Sequence, residues 1–114
     1  HEGIEVAWRL IGAGQRIRYD AGLVVRNPPA APFRGPQHRY LDARNRVWVA
    51  RRNLPGVLAL AYVAVWMTAT LLRGGGSAAL RGFADGVRTD CGGRHPIRWR
   101  TAWRLTRLGR PPIV

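Results

Sequence analysis

The sequence predicts a mostly helical α+β chain, in which one helix and two short strands precede three to four further helices, one of them long and apolar. Apolar residues recur at helical spacing in several segments, two short strand-like runs follow the first of these, and one stretch in the second half has no charged residue. With 114 residues, the chain forms at most one small domain or a piece of a larger one.

The first segment predicts a short amphipathic helix over residues 5–13. Its apolar residues Val6, Ala7, Leu10, Ile11 and Ala13 recur at helical spacing, and Gly14 stands where a helix ends. Residues 16–19 then alternate charged with apolar side chains, and residues 23–25 form a β-branched run after a turn at residues 20–22. These patterns predict the order helix, strand, turn, strand.

A proline-rich stretch separates this first part from the rest of the chain. Residues 27–36 contain four prolines, which exclude a regular helix or a central strand. The stretch is therefore the best candidate for a boundary, and it divides the chain into residues 1–33 and residues 34–114.

The second part predicts the remaining helices. Residues 37–53 mix apolar with arginine side chains and predict a basic amphipathic helix. Residues 54–72 have no charge, and a stretch of about 20 such residues can cross a bilayer. Their Ala, Thr and Tyr content leaves two other interpretations open, a helix in the membrane plane and a helix buried in protein. Residues 77–87 and 99–108 predict two shorter helices.

The composition is strongly basic. All 19 basic residues are arginine, against 6 acidic residues, which gives a net charge of +13. Arginine without lysine, together with many Ala and Gly residues, indicates the base composition of a high-GC genome. Arginine also suits bidentate phosphate contacts. A nucleic acid and an anionic membrane are therefore both possible partners.

The sequence predicts no metal site. The single cysteine, Cys91, excludes an internal disulfide and a cysteine-based zinc cluster, and it fits a reducing compartment. His38 and His95 have no partner at ligand spacing, so we expect both to be exposed.

Several motifs follow one another in the first 26 residues. They are Glu2-Gly3-Ile4-Glu5, Arg9, Ala13-Gly14, Arg16-Ile17-Arg18-Tyr19 and Val24-Val25-Arg26. In this order they resemble the C-terminal part of bacterial, actinobacterial-like, inverting family 2 glycosyltransferases. In that family a helix opens with the type E-[DE]-x-[DE]-L-x-x-R and is followed by x-x-A-G and two short strands. The resemblance continues through the arginine-rich segment and the tail, and it covers most of the chain.

The resemblance implies an enzyme that moves a sugar from a nucleotide-sugar donor to a cell-envelope or lipid-linked acceptor, at the cytoplasmic face of the plasma membrane. Residues 1–33 would end a GT-A catalytic domain, and residues 34–114 would form a basic and apolar tail that associates with the membrane. The Asp-x-Asp motif of the donor-binding half has no counterpart in this sequence. We therefore expect a fragment that is inactive alone, with no cofactor of its own, and a divalent Mg or Mn ion only in the full enzyme.

An inverting transfer requires a carboxylate that removes the proton of the acceptor hydroxyl. The resemblance places this base in the acidic cluster at the start of the first helix, where the helix dipole favours an ionised carboxylate. Gly3 stands at the position usually credited with the base, so the candidates are Glu2 and Glu5. The alternative is that both acids only cap the helix. Asn27 stands where many relatives have a histidine that helps to hold the metal.

The candidate membrane contacts lie just before the uncharged stretch. Their guanidinium groups would meet anionic headgroups, with a tryptophan at the interface; the alternative is a solvated helix face. Because the far side is also basic at Arg73, Arg81 and Arg88, a helix lying in the cytoplasmic leaflet is favoured over a clean crossing. The contacts are Arg44, Arg46, Trp48, Arg51 and Arg52.

Two other functions remain open. In a small basic nucleic-acid-binding protein, the tryptophans and arginines that alternate in residues 99–107 would stack on bases. That function does not explain the uncharged stretch, so it is not favoured. The other is a non-catalytic helical module at a membrane surface.

Overall fold

The computed structural model of the chain describes residues 2–26 and 35–113, apart from the side chain of Glu2. These residues form five α-helices and no β-strand. The predicted α+β class, with two strands and a long apolar helix, is therefore wrong. Of the proline-rich stretch at residues 27–36, residues 27–34 with Asn27 lie outside the described residues, and Pro36 is the first residue of a helix. The helices are α1 (Glu2–Gly12), α2 (Pro36–Asn53), α3 (Gly56–Leu72), α4 (Gly76–Arg88) and α5 (Trp99–Arg107).

The segment predicted as two strands is irregular. The turn between them is present, because the backbone N–H of Gly22 donates to Asp20 Oδ1 over 2.9 Å. The flanking residues have no strand neighbour among those described, and Ile17 and Val24 remain 54% and 76% exposed. Two short strands are not stable without a third strand or a packing partner, so the alternating pattern alone did not produce a sheet.

Helix α1 ends where the sequence predicts. Gly14 has a φ of 84°, a left-handed conformation that favours glycine. The N–H of Gly14 donates to Ile11 O over 3.0 Å, and the N–H of Gln15 donates to Leu10 O over 2.9 Å. These two bonds satisfy carbonyl groups that the end of the helix would otherwise leave without a donor.

Helix α2 is the central element, and it is not amphipathic as predicted. Its buried side chains belong to two separate clusters, because neighbouring helices pack on more than one side of it. Val47 packs with Phe83 of α4, whereas Ala50 lies in a second cluster with Trp8 of α1 and Tyr62 of α3. The helix therefore contributes to both clusters, one with α4 and one with α1 and α3.

Helices α2 and α4 approach each other closely at two glycines of α4. A Cβ atom on Gly82 would lie 2.2 Å from the carbonyl oxygen of Tyr40, and one on Gly86 would lie 2.6 Å from the Cβ atom of Val47. Neither position can accept a side chain without a backbone shift. The small residues of α4 thus set the distance between the two helices.

The uncharged stretch gives a shorter helix than expected. Leu54 and Pro55 lie before α3, which has 17 residues. Only Ala59 and Tyr62 of this helix are buried. Among the helices of the described part, none is long and apolar enough to cross a membrane.

Candidate functional site

Glu5 lies on α1 with a half-buried side chain, 13% exposed, between two guanidinium groups. Its Oε1 accepts a hydrogen bond from Arg9 Nη2 over 2.6 Å, and its Oε2 accepts one from Arg52 Nη2 of α2. Arg9 is one helical turn away, so that pair is local. The pair with Arg52 instead joins α1 to α2.

Glu2 is the first residue of α1, and its side chain lies outside the described residues. It precedes Glu5 by three positions, which places the two residues on adjacent parts of one helix face. The assignment of a catalytic base to Glu2 or Glu5 stays a prediction. The structure adds that both oxygens of Glu5 already have donors.

Trp8 holds α1 against the other helices. Its side chain is 6% exposed and meets the Tyr62 ring edge to face, with ring centroids 6.3 Å apart and planes at 82°. Such aromatic pairs contribute beyond their buried area. The sequence analysis missed this residue, although a large aromatic inside the helical motif was an available signal. The start of α1, with its acidic cluster, is therefore fixed relative to α2 and α3.

Two of the predicted membrane contacts stack on aromatic rings of the chain itself. The guanidinium carbon of Arg44 lies 4.3 Å from the centroid of the Trp48 ring. That of Arg46 lies 3.7 Å from the Trp66 ring, and its Nε lies 3.0 Å from Asp42 Oδ2. Cation–π contacts of this kind stabilise a partly desolvated arginine.

The other predicted contacts bind the end of α4 and the loop after it. Arg51 Nη1 donates to the carbonyl oxygens of Gly86 and Thr89 over 2.7 and 2.8 Å. Trp48 Nε1 donates to Thr89 Oγ1 over 3.1 Å, and Arg52 Nη1 donates to Cys91 O over 3.4 Å. A cation at a helix C-terminus is favourable. These residues hold the fold together, and membrane contact through them stays a prediction.

Tyr62 is a buried tyrosine, and Arg46 is the positively charged group that interacts with its hydroxyl. It is 2% exposed, and its hydroxyl has no hydrogen-bond partner of good geometry among the described residues. Burial raises the pKa of Tyr62 above its usual range, and the positive charge of Arg46 opposes this in part. The effect of burial dominates, because the anionic form of the phenol is poorly solvated there.

Exposed apolar side chains lie on both α3 and α5. Val57 and Leu60 are 70% and 74% exposed, and Trp99 and Trp103 are 58% and 65% exposed. Leu58 lines one shallow cavity of about 220 Å³ together with the two tryptophans. We call these five residues the α3–α5 apolar surface.

A second feature that the sequence analysis missed is a basic cleft between the end of α1 and the start of α5. Its volume is about 550 Å³, and three arginines of the α5 region line it. The available signal was the spacing of Arg100 and Arg104, which places both on one face of a helix.

Residues 2–26 and 35–113 contain no group of three or more His, Cys, Asp or Glu side chains that could hold a metal ion. His38 and His95 are exposed, as predicted. The divalent ion implied for the full enzyme therefore has no candidate ligand set in this part of the chain. A comparison of the chain with known protein families, curated proteins and solved structures finds no match.

Proposed function

We propose that this chain is the C-terminal part of an inverting glycosyltransferase, which moves a sugar from a nucleotide-sugar donor to a lipid-linked or cell-envelope acceptor. The observation that supports this best is the exposed apolar segment after α1. Several exposed apolar side chains in one short segment are typical of a surface that another part of the protein covers. In this proposal a preceding donor-binding segment covers it. The exposed residues are Ile17, Tyr19, Leu23, Val24 and Val25, at 54%, 88%, 77%, 76% and 82%.

Glu2 is the proposed base. In the transfer, its carboxylate removes the proton of the acceptor hydroxyl while the hydroxyl oxygen attacks the anomeric carbon and the nucleotide diphosphate departs. Glu5 suits this role less, because its two oxygens already accept hydrogen bonds from Arg9 and Arg52. The dipole of α1 favours a carboxylate at its first residue.

Glu5 is then a positioning residue. Its ion pair with Arg52 and the burial of Trp8 hold α1 in one orientation on the helical tail. A base must lie within hydrogen-bond reach of the hydroxyl that it deprotonates, and small misplacements lower the rate strongly. Fixing α1 to α2 provides that placement.

The α3–α5 apolar surface would keep the enzyme at the cytoplasmic face of the plasma membrane. Tryptophans are well suited to the depth of the headgroups, and aliphatic side chains of α3 contribute by leaving water. Arginines exposed on α4, Arg81 and Arg88, would add attraction to anionic lipids. A lipid-linked acceptor would be found at the same surface.

The test is a transfer assay with the full-length protein, including the preceding segment. Glu2→Gln should lower kcat by about 100-fold or more while nucleotide-sugar binding persists. Glu5→Gln should have a smaller effect on kcat and should increase hydrogen exchange in α1. A Glu2→Gln enzyme with unchanged turnover would remove Glu2 from the mechanism, and an absence of any transfer by the wild-type protein would reject the function.

A specific observation also favours one alternative, a basic nucleic-acid-binding module. Trp99 and Trp103 are exposed four positions apart, so they lie on one face of α5 and could stack on bases. Binding to single-stranded DNA that weakens steeply with salt would support this alternative. Binding only to anionic vesicles would support the membrane-surface function.

A further inference from the structure

The basic cleft lies outside the residues assigned to sugar transfer above. On one side it is lined by the end of α1 and the turn after it, including Gly12 and Gly14. On the other side it is lined by Arg98, Arg100, Thr101 and Arg104 at the start of α5. Its volume of about 550 Å³ is within the range of small-ligand sites.

The positive charge of the cleft is not compensated within the described chain. Arg98, Arg100 and Arg104 form no hydrogen bond through their guanidinium groups and no ion pair with residues 2–26 or 35–113. No carboxylate lines the cleft. Like charges four positions apart on a helix repel each other. The repulsion between Arg100 and Arg104 therefore slightly destabilises α5 unless an anion binds between them.

Thr101 adds a polar group to the lining of the cleft. Its hydroxyl forms no hydrogen bond with a residue of the described part. A Cβ atom added to Gly12 would lie 3.9 Å from Thr101 Cγ2 and 4.0 Å from Thr101 Oγ1, so this side chain faces the Gly12 side of the cleft. Thr101 Oγ1 is not one of the fully buried side-chain atoms that lack a partner, so the hydroxyl is open to the cleft and can donate to a bound group.

The backbone at this place also favours an anion. No side chain caps the start of α5, and a helix N-terminus has a partial positive charge with N–H groups directed outwards. The cleft thus combines three guanidinium groups, one free hydroxyl and a helix N-terminus.

We propose that the basic cleft binds a phosphate-bearing group, with Arg100 and Arg104 as its main ligands. The planar guanidinium group matches two phosphate oxygens at once, and the Thr101 hydroxyl donates to a third. The phosphate belongs either to a soluble diphosphate or to the headgroup of a phosphomonoester lipid. The exposed Trp99 and Trp103 of the same helix bring a lipid surface within reach. This inference holds whether or not the chain takes part in sugar transfer.

The experiment titrates the folded chain with inorganic pyrophosphate by calorimetry and, separately, with vesicles of phosphatidylcholine with and without phosphatidic acid. The site variant is Arg100→Gln with Arg104→Gln. The matched control is Arg18→Gln with Arg26→Gln, which removes the same charge from exposed positions outside the cleft. Thr101→Val is a third variant that keeps the charge and the size of the side chain.

We expect the site variant to weaken binding by about tenfold or more, and Thr101→Val to weaken it by about threefold or more. The control pair should change it by about twofold or less. If the site variant binds pyrophosphate more weakly than the wild-type chain does, the ligand is a soluble phosphate. If it binds only the phosphatidic acid vesicles more weakly, the ligand is a lipid headgroup. Equal losses in the two double variants, an unchanged Thr101→Val, or no binding of either probe by the wild-type chain would overturn the proposal.

Discussion

Glu5 and Arg52, 47 positions apart in the sequence, form an ion pair that joins α1 to α2. Their side chains are 13% and 30% exposed. The pair of Glu5 with Arg9 differs, because the Arg9 side chain is 54% exposed and lies on the same helix. One carboxylate thus has one tertiary and one local partner, and their contributions to stability should differ.

Arg52→Gln should lower the free energy of unfolding by about 1–3 kcal/mol, because it leaves a half-buried carboxylate with one exposed partner. The matched control Arg9→Gln removes an exposed pair between neighbouring turns and should cost about 0.5 kcal/mol or less. Urea denaturation measures both values. Hydrogen exchange in α1 should increase only in Arg52→Gln, and equal exchange in the two variants would contradict the anchoring role.

Gly86→Ala should destabilise the chain by about 1–3 kcal/mol. The added methyl group would meet Val47 Cβ at 2.6 Å, so α2 and α4 would have to separate. Gly56→Ala is the control, since nothing lies within 4 Å of a Cβ atom there and alanine favours a helix more than glycine. It should be neutral or stabilising. Thermal unfolding compares the two, and a Gly86→Ala protein as stable as Gly56→Ala would exclude close packing at this position.

The helices were largely predictable from sequence, because apolar spacing and glycine or proline punctuation are local signals. The buried face of α1 was not. Val6 and Leu10 fit the helical pattern but are 55% and 42% exposed, whereas Trp8 is the buried residue. Periodicity identifies an apolar face, but the position of the neighbouring helices decides which part of it is covered.

The predicted strands do not form because a local pattern does not supply their partners. A strand needs hydrogen-bond partners from elsewhere in the chain, and residues 23–25 have none among those described. The arginines before α3 have contacts that are equally invisible in the local pattern. Arg51 donates to carbonyl groups of α4 and the following turn, whereas its contact with a membrane stays a prediction.

Tyr62 should make the stability depend on pH in the alkaline range. Burial raises its pKa in the folded state, so the unfolded chain releases this proton first as the pH rises. The resulting stability is fully present below about pH 10 and is lost as the pH rises further. Tyr62→Phe should remove this loss. At neutral pH it should be neutral or stabilising by about 1 kcal/mol or less, because the hydroxyl has no good partner.

The matched control for this prediction is Tyr19→Phe, since Tyr19 is 88% exposed and its replacement should leave the alkaline dependence intact. Urea denaturation at several pH values, combined with tyrosinate absorbance, measures both variants. A Tyr62→Phe protein that keeps the full alkaline loss of stability would show that another group causes it.

Two surfaces are candidates for the membrane contact, the α3–α5 apolar surface and the arginine cluster before α3. Variants of each surface can distinguish them. Leu60→Gln with Trp103→Gln should weaken binding to vesicles of anionic phospholipid by about tenfold or more, because both side chains would leave water on binding. The control Val6→Gln with Leu10→Gln changes exposed apolar side chains of α1 and should have little effect.

The double variant Arg44→Gln with Arg46→Gln tests the arginine cluster. These guanidinium groups stack on Trp48 and Trp66, so we expect the double variant to lose stability while vesicle binding falls by about twofold or less. Vesicle flotation measures the binding, and circular dichroism verifies the fold. If this variant loses binding while Leu60→Gln with Trp103→Gln keeps it, the arginine cluster is the membrane contact. The ring contacts could then persist at the bilayer, because a guanidinium group stacks on a ring through its face and donates to a headgroup phosphate through the N–H groups in its plane.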